Sequence, residues 1–153
     1  MAFVFACELP DHLWFQVDQD VWIQPDPAGG IRMGMTDPAQ TRAGKLLYLR
    51  VRSKKRVGAG QNVATVESGK WVGPVPAPLA GVVGEANPAV LADPSLVNRD
   101  PYGEGWLLTF HPDAPEAEWE VLGLRRGAAA VDPYRAKLQA EGLTCVRCAD
   151  PPP

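Results

Sequence analysis

The chain has 153 residues, 46% of them hydrophobic and 22% charged, with 15 glycines, 16 prolines and a formal net charge of -3. Apart from its proline content this is ordinary globular composition, so one domain over residues 1–153 is expected, long enough to bury a core without disulfide staples or a structural metal. No run approaches the ~20 apolar residues of a membrane helix, and a slightly acidic chain is a poor general binder of polyanions, which argues against membrane and nucleic-acid partners.

The start, Met1 to Cys7, is apolar but lacks basic residues and is too short to direct export; it reads as an N-terminal strand or arm. Three cysteines are an odd number, which argues against an extracellular disulfide scaffold and fits a reducing cytoplasm. Cys7 reads as a small buried side chain. Short runs of β-branched, aromatic and leucine residues punctuated by glycine and proline predict strands at 13–17, 21–24, 31–34, 45–51, 62–67, 71–75, 81–85 and 106–110. No long helical pattern separates them, so parallel βαβ units are not expected.

Between the third and fourth strands, Thr36 or Asp37 can cap a short helix and Gly44 can end it. Arg50, Arg52, Lys54, Lys55 and Arg56 form a cationic stretch that reads either as a surface steering an acidic partner or as an edge strand guarded by charge. Aromatic stacking positions are not interleaved there, which disfavours a single-stranded nucleic-acid site. A helix is expected over 116–122, and Asp132 followed by Pro133 and ending at Gly142 marks a C-terminal helix. Thr144 to Cys148 contains one Cys-x-x-Cys. It lacks a second ligand pair, and His12 and His111 have no zinc-finger spacing to it, so no metal site is expected. Cys145 and Cys148 read as two thiols near a frayed terminus, with redox exchange beside Arg147 as the alternative, and the last three prolines read as a polyproline tail.

The segment around Lys70 carries the most information. Val63 to Ser68 alternates toward a tip, Gly69 and Lys70 occupy it, and Trp71 to Val75 leads away, so a hairpin presents Lys70 on its turn. Spacing alone makes it a solvated turn lysine. The order Glu67, Ser68, Gly69, Lys70, however, resembles the lipoyl-attachment motif of the glycine cleavage H-protein family. The resemblance extends through His12-Leu13-Trp14, Gly34 to Gln40, Ala77 to Gly81 and Leu96 to Trp106, covering residues 12–110 and leaving 111–153 as a C-terminal extension.

That resemblance implies a mainly β, barrel-sandwich hybrid with short helices, two small antiparallel sheets over one core, and a lipoyl group amide-linked to Lys70. Glu67 is then the acidic position read during lipoylation, with Ser68 and Gly69 completing the attachment motif. Trp71 either rests against the dithiolane or a partner, or packs on the hairpin. The protein would be a monomeric cytoplasmic carrier, not a catalyst, with a lipoate-attaching enzyme and dihydrolipoamide dehydrogenase as partners. No acid, base and nucleophile are placed by any motif to cooperate.

Three departures bear on the cargo. Where the family has carboxylates to hold an aminomethyl ammonium, this sequence has Leu13 and Pro74, and an unpaired ammonium there is costly. The cationic stretch and the Cys-x-x-Cys are the other two. Together with the Gly69-Lys70-Trp71 tip and the Cys7 to Trp22 stretch, they resemble lipoate-binding proteins that serve heterodisulfide-reductase-like sulfur oxidation. The readings that stay open are a sulfur-pathway carrier passing a sulfur adduct or redox state from a heterodisulfide-reductase-like complex, a glycine cleavage carrier of the aminomethyl group, and a binding module with unmodified Lys70. Trp14, Trp22 and Trp106 are expected in the core and its rim. Asn98, Asp100, Tyr102 and Glu104 are expected at the surface of their turn-rich loop.

Overall fold

The computed structural model describes residues 1–149. The chain opens with a separate hairpin of β1 (Ala2–Val4) and β2 (Cys7–Leu9), joined by Phe5 and Ala6, both at positive φ. The strand expected at the N-terminus is therefore present, with a second strand beside it. An antiparallel meander follows: β3 (Trp14–Gln16), β4 (Val21–Pro25) and β5 (Ile31–Met35). In β5 the apolar Ile31, Met33 and Met35 are buried while Arg32 is exposed, the period-two pattern of a strand with one wet face.

Helix α1 (Asp37–Ala43) starts as its sequence dictates. Thr36 is the N-cap and its hydroxyl accepts from the Ala39 amide, Pro38 occupies the first turn, and Gly44 ends the helix at φ 81°. The chain continues through β6 (Leu46–Val51), β7 (Arg56–Val57), β8 (Asn62–Ser68), β9 (Val72–Pro76) and β10 (Gly81–Ala86). Two short helices, α2 (Pro88–Ala92) and α3 (Leu96–Arg99), precede β11 (Leu108–Pro112), β12 (Arg125–Arg126) and α4 (Val131–Glu141).

A seven-stranded antiparallel sheet, ordered β12-β3-β4-β5-β11-β10-β7, packs against a three-stranded sheet, β6-β8-β9, in a mainly β barrel-sandwich arrangement. The interior between them holds Trp14, Ile23, Met33, Val66, Leu108 and Phe110 among others. Strand β6 is an edge of the small sheet and β7 an edge of the large one, so the cationic stretch Arg50 to Arg56 runs along both rims, with Arg56 paired to Asp113.

A second apolar cluster lies on the other side of the meander, where Leu9, Leu13, Phe15 and Trp22 meet Tyr134 and Leu138. Tyr134 and Leu138 are one turn apart on α4, and Phe15 meets the Tyr134 ring edge-on at 6.0 Å. Fully burying such side chains contributes on the order of 2 kcal/mol each, which fixes α4 to the sheet.

The structure amends several expectations. Residues 116–122 form no α-helix; Glu116–Glu118 is a single 3-10 turn. Its register is set by the buried Trp119, edge-on to Trp14 at 5.5 Å, while the Trp14 indole donates to Glu116. The last large-sheet strand before the extension begins at Leu108, two residues beyond the expected 106. The short pieces β7, β12, α2 and α3 carry no periodic signal long enough to read. Cys7 is buried, as expected, but as half of a Cys7–Cys145 disulfide. Cys145 is thus not a terminal thiol equivalent to Cys148, and the reading of both as thiols near a frayed terminus is corrected for Cys145. The expected polyproline tail lies outside the described residues.

Candidate functional site

The hairpin of β8 and β9 builds the site. In β8, Val63, Ala64 and Val66 face the interior and Glu67 faces out, so the strand is anchored from within along its length up to its last residues. Ser68 is buried at the strand end, and its amide donates to the Trp71 carbonyl at 2.7 Å, closing the turn. Its hydroxyl accepts from the Lys70 amide at 3.3 Å. Gly69 and Lys70 sit exposed at the tip, and a side chain on Gly69 would meet no atom within 4 Å.

The lysine is exposed but not unsupported. Its aliphatic stem lies along Gly44, the C-cap of α1; a methyl group there would stand 2.8 Å from Lys70 Cε. Gly44 thus answers two demands, the positive φ that ends the helix and the close approach of the lysine. Trp71 is 40% exposed, and its indole lies over Gly73, where any side chain would collide with the ring. Beside it opens a groove of about 200 Å³ lined by apolar atoms of Val21, Met35, Ala39, Ala43, Trp71 and Val75. Trp71 therefore packs on its own hairpin and also forms one wall of the groove.

Glu67 lies on the outer face of the small sheet, opposite Tyr48 on one neighbour strand and Val72 on the other. Tyr48 and Val72 are themselves largely exposed. The acidic group and the lysine are thus on view together at one end of the molecule.

Charges at the groove come from residues that no motif indicated. Asp20 and Arg42 both line it and pair with each other. Lys137 lies 3.2 Å from Asp20, and the Tyr134 hydroxyl donates to Asp20 at 3.1 Å. Burial raises the Asp20 carboxyl above its ordinary value, with Arg42 and Lys137 opposing that shift. Asp20 was hidden in the sequence because its partners are distant along the chain; the one local sign is a turn between β3 and β4, where it takes a positive φ. Of the two positions where the family resemblance places carboxylates, Pro74 lines the groove, whereas Leu13 is fully buried in the second cluster.

The Leu96 to Trp106 loop is not a surface loop throughout. Asn98 is fully buried: its Oδ1 accepts from the Leu46 amide at 2.9 Å and its amide group donates to Gly44 O at 2.9 Å and to Gln40 Oε1 at 3.1 Å. It joins the end of α1 to the start of β6 and so sets Gly44 against the lysine. Tyr102 is half-buried, donating to Glu8 O at 2.6 Å and accepting from the Asp37 amide at 2.8 Å. Burial pushes its hydroxyl well above the ordinary tyrosine range. Asp100 and Glu104 are exposed, as the composition implied. Trp14 and Trp22 lie in the two cores, and Trp106 is at the rim with Arg32 stacked 4.7 Å from its ring.

Residues 13–131 match the family described as "Glycine cleavage H-protein". The chain belongs to that family. It is 43% identical over 150 residues to a "Probable glycine cleavage system H protein 2" of Sulfurisphaera tokodaii, covering 96% of this chain and 99% of that one. It is 38% identical over 145 residues to the "Glycine cleavage system H protein 3" of Aquifex aeolicus, covering 94% and 90% respectively. Among solved structures, a glycine cleavage system H protein from Mycobacterium marinum superposes with TM-score 0.67 at 30% identity, covering 88% of this chain and all of that one. The fold expected from the residue motifs, a mainly β barrel-sandwich with short helices and a helix near the C-terminus, is the fold of this family member. No helix among the described residues is long and apolar enough to cross a membrane.

Proposed function

We propose that this protein is a lipoyl carrier, with lipoate in amide linkage to Lys70 and Glu67 read by a lipoate-attaching enzyme. The observation that carries the proposal is the exposed Lys70 at a hairpin tip closed by the Ser68–Trp71 hydrogen bond, its stem held on Gly44 and an apolar groove opening beside Trp71. An acyl arm on Lys70 fits that setting: the groove walls are mostly apolar, and the buried Ser68 hydroxyl fixes the turn without engaging the lysine head. Lipoate, when bound, supplies a dithiolane that carries a group or a redox state between enzymes. The chain's own residues hold the base of the arm, present it, and offer a wall on which it can rest. The molecule acts as a single-domain, cytoplasmic, monomeric substrate of its partner enzymes, dihydrolipoamide dehydrogenase among them.

For the cargo, the names of the relatives favour the aminomethyl group of glycine cleavage. A specific observation favours a second reading, in which the arm carries a sulfur-containing adduct or redox state to and from a heterodisulfide-reductase-like complex. Asp20, the carboxylate lining the groove, is already matched by Arg42 and Lys137, and Pro74, at a position where the family resemblance places a carboxylate, lines the same groove. A neutral or anionic adduct has no such requirement.

The test is intact and peptide mass analysis after co-production with lipoylating enzymes. A lipoyl increment on the Lys70 peptide, absent in Lys70→Arg, supports the carrier. An unmodified Lys70, in cells that modify a control lipoyl domain, overturns it in favour of a binding module. The modified protein is then offered to glycine decarboxylase: methylamine loading decides for glycine cleavage, and its absence removes that reading.

A further inference from the structure

We propose that Cys148 and the Cys7–Cys145 disulfide form a thiol–disulfide exchange site whose external reductant is a dithiol. The disulfide joins residues 138 positions apart and is sealed: Cys7 is 0% and Cys145 5% exposed. Thiol–disulfide exchange needs an attacking thiolate with access to a sulfur atom, which burial denies to any reagent from solvent. Cys148, the free thiol among the described residues, is half-buried and lies three residues from Cys145, on a segment without regular secondary structure. A Cys-x-x-Cys spacing is one across which a disulfide closes when the chain turns.

The segment is held by polar contacts that water can replace. Val146 O accepts from Gln40 Nε2 at 2.6 Å and from Thr41 Oγ1 at 3.0 Å. The Cys148 amide donates to Gln40 Oε1 at 3.0 Å, and Arg147 pairs with Asp37 at 2.9 Å and with Glu8 at 2.7 Å. The Cys148 sulfur itself has only long contacts, 3.7 Å to Thr41 O and 3.8 Å to Val146 O. The apolar anchors lie elsewhere, at Cys145 and in α4, so residues 146–148 can turn back while α4 stays docked.

In the first step Cys148 gives its proton to solvent and its sulfur attacks Cys145 Sγ. The Cys145–Cys148 bond forms, the Cys7–Cys145 bond breaks, and Cys7 leaves as a thiolate that takes up a proton. The disulfide has moved from the interior to the exposed segment without net oxidation or reduction. In the second step a dithiol reduces Cys145–Cys148 to two thiols and is itself oxidised to its disulfide. Disulfides in reducing compartments are usually transient in this way. The segment also reaches the lysine cradle: Gln40, which it covers, bonds Asn98, and Asn98 holds Gly44 against Lys70. None of these steps depends on lipoylation.

The test uses the oxidised full-length protein, wild type, Cys148→Ser and Cys148→Ala, exposed to dithiothreitol and quenched at intervals by alkylation. Expected in the wild type is a transient species alkylated on Cys7 alone with Cys145 linked to Cys148, and disulfide loss at least about tenfold faster than in either variant. Equal rates in wild type and both variants, or wild-type reduction that frees Cys7 and Cys145 together without that species, overturn the proposal. Because the intermediate is read in the wild type, a variant that folds poorly leaves the test intact.

Discussion

Replacing Asn98 by alanine tests the cradle most directly. Its side chain makes three buried hydrogen bonds, to Leu46 N, Gly44 O and Gln40 Oε1. Gln40 Oε1 keeps a second donor in the Cys148 amide, but alanine leaves Leu46 N and Gly44 O unpaired in the interior. At about 1 kcal/mol per neutral bond lost, with further desolvation cost at two orphaned backbone groups, the variant should lose about 3–5 kcal/mol. In a chain of this size that is a fall in Tm of roughly 10 °C. Asn98→Asp keeps the volume and the acceptor for Leu46 N, yet turns an anionic oxygen toward Gly44 O and Gln40 Oε1. It should lose at least as much, whereas a space-filling role for Asn98 would make it nearly neutral. Urea unfolding with the m-value monitored measures both, since an unchanged m assigns the effect to stability and not to the denatured state. A loss below about 1 kcal/mol in Asn98→Ala together with a neutral Asn98→Asp would refute the reasoning.

Gly44→Val adds a side chain where φ is 81° and Lys70 Cε stands 2.8 Å from the first added carbon; it should cost about 1–3 kcal/mol and slow modification of Lys70 by displacing its stem, and a variant modified at the wild-type rate would show that Gly44 does not seat the lysine. Tyr102 and Tyr134 are held neutral well above the ordinary tyrosine pKa of about 10, chiefly by burial. Above that pH the unfolded chain releases these protons and the folded one does not, so stability present below pH 10 should decline as pH rises beyond it, by up to roughly 1.4 kcal/mol per tyrosine per pH unit. Urea midpoints from pH 9 to 11 read the slope, and Tyr134→Phe and Tyr102→Phe should each flatten it; a slope equal in all three proteins would contradict the assignment.

Much of the architecture is written in local pattern. The caps of α1, the alternation in β5 and β8, and the proline and glycine bounding α4 act over three to five residues, and each produced the element expected within a residue or two. The Lys70 hairpin is equally local, because turn residues between two alternating runs suffice to place a lysine at a tip. The helix expected near Glu116 failed where a tertiary contact outweighed propensity: burial of Trp119 against Trp14 sets that turn.

The surroundings of the lysine were decided otherwise. Asn98, in a loop whose composition suggests exposure, is buried because unpaired backbone groups at Gly44 and Leu46 need a partner that only a residue more than fifty positions away supplies. Asp20 and Arg42 become groove residues only when β3, β4 and α1 converge, and Cys7 meets Cys145 only because α4 returns the chain to the first hairpin. Periodicity and turn chemistry act between near neighbours and are legible in order along the chain. Pairing of buried charges, orphaned amides and sulfur atoms acts between positions that are close only in space, so the tertiary structure alone settles it.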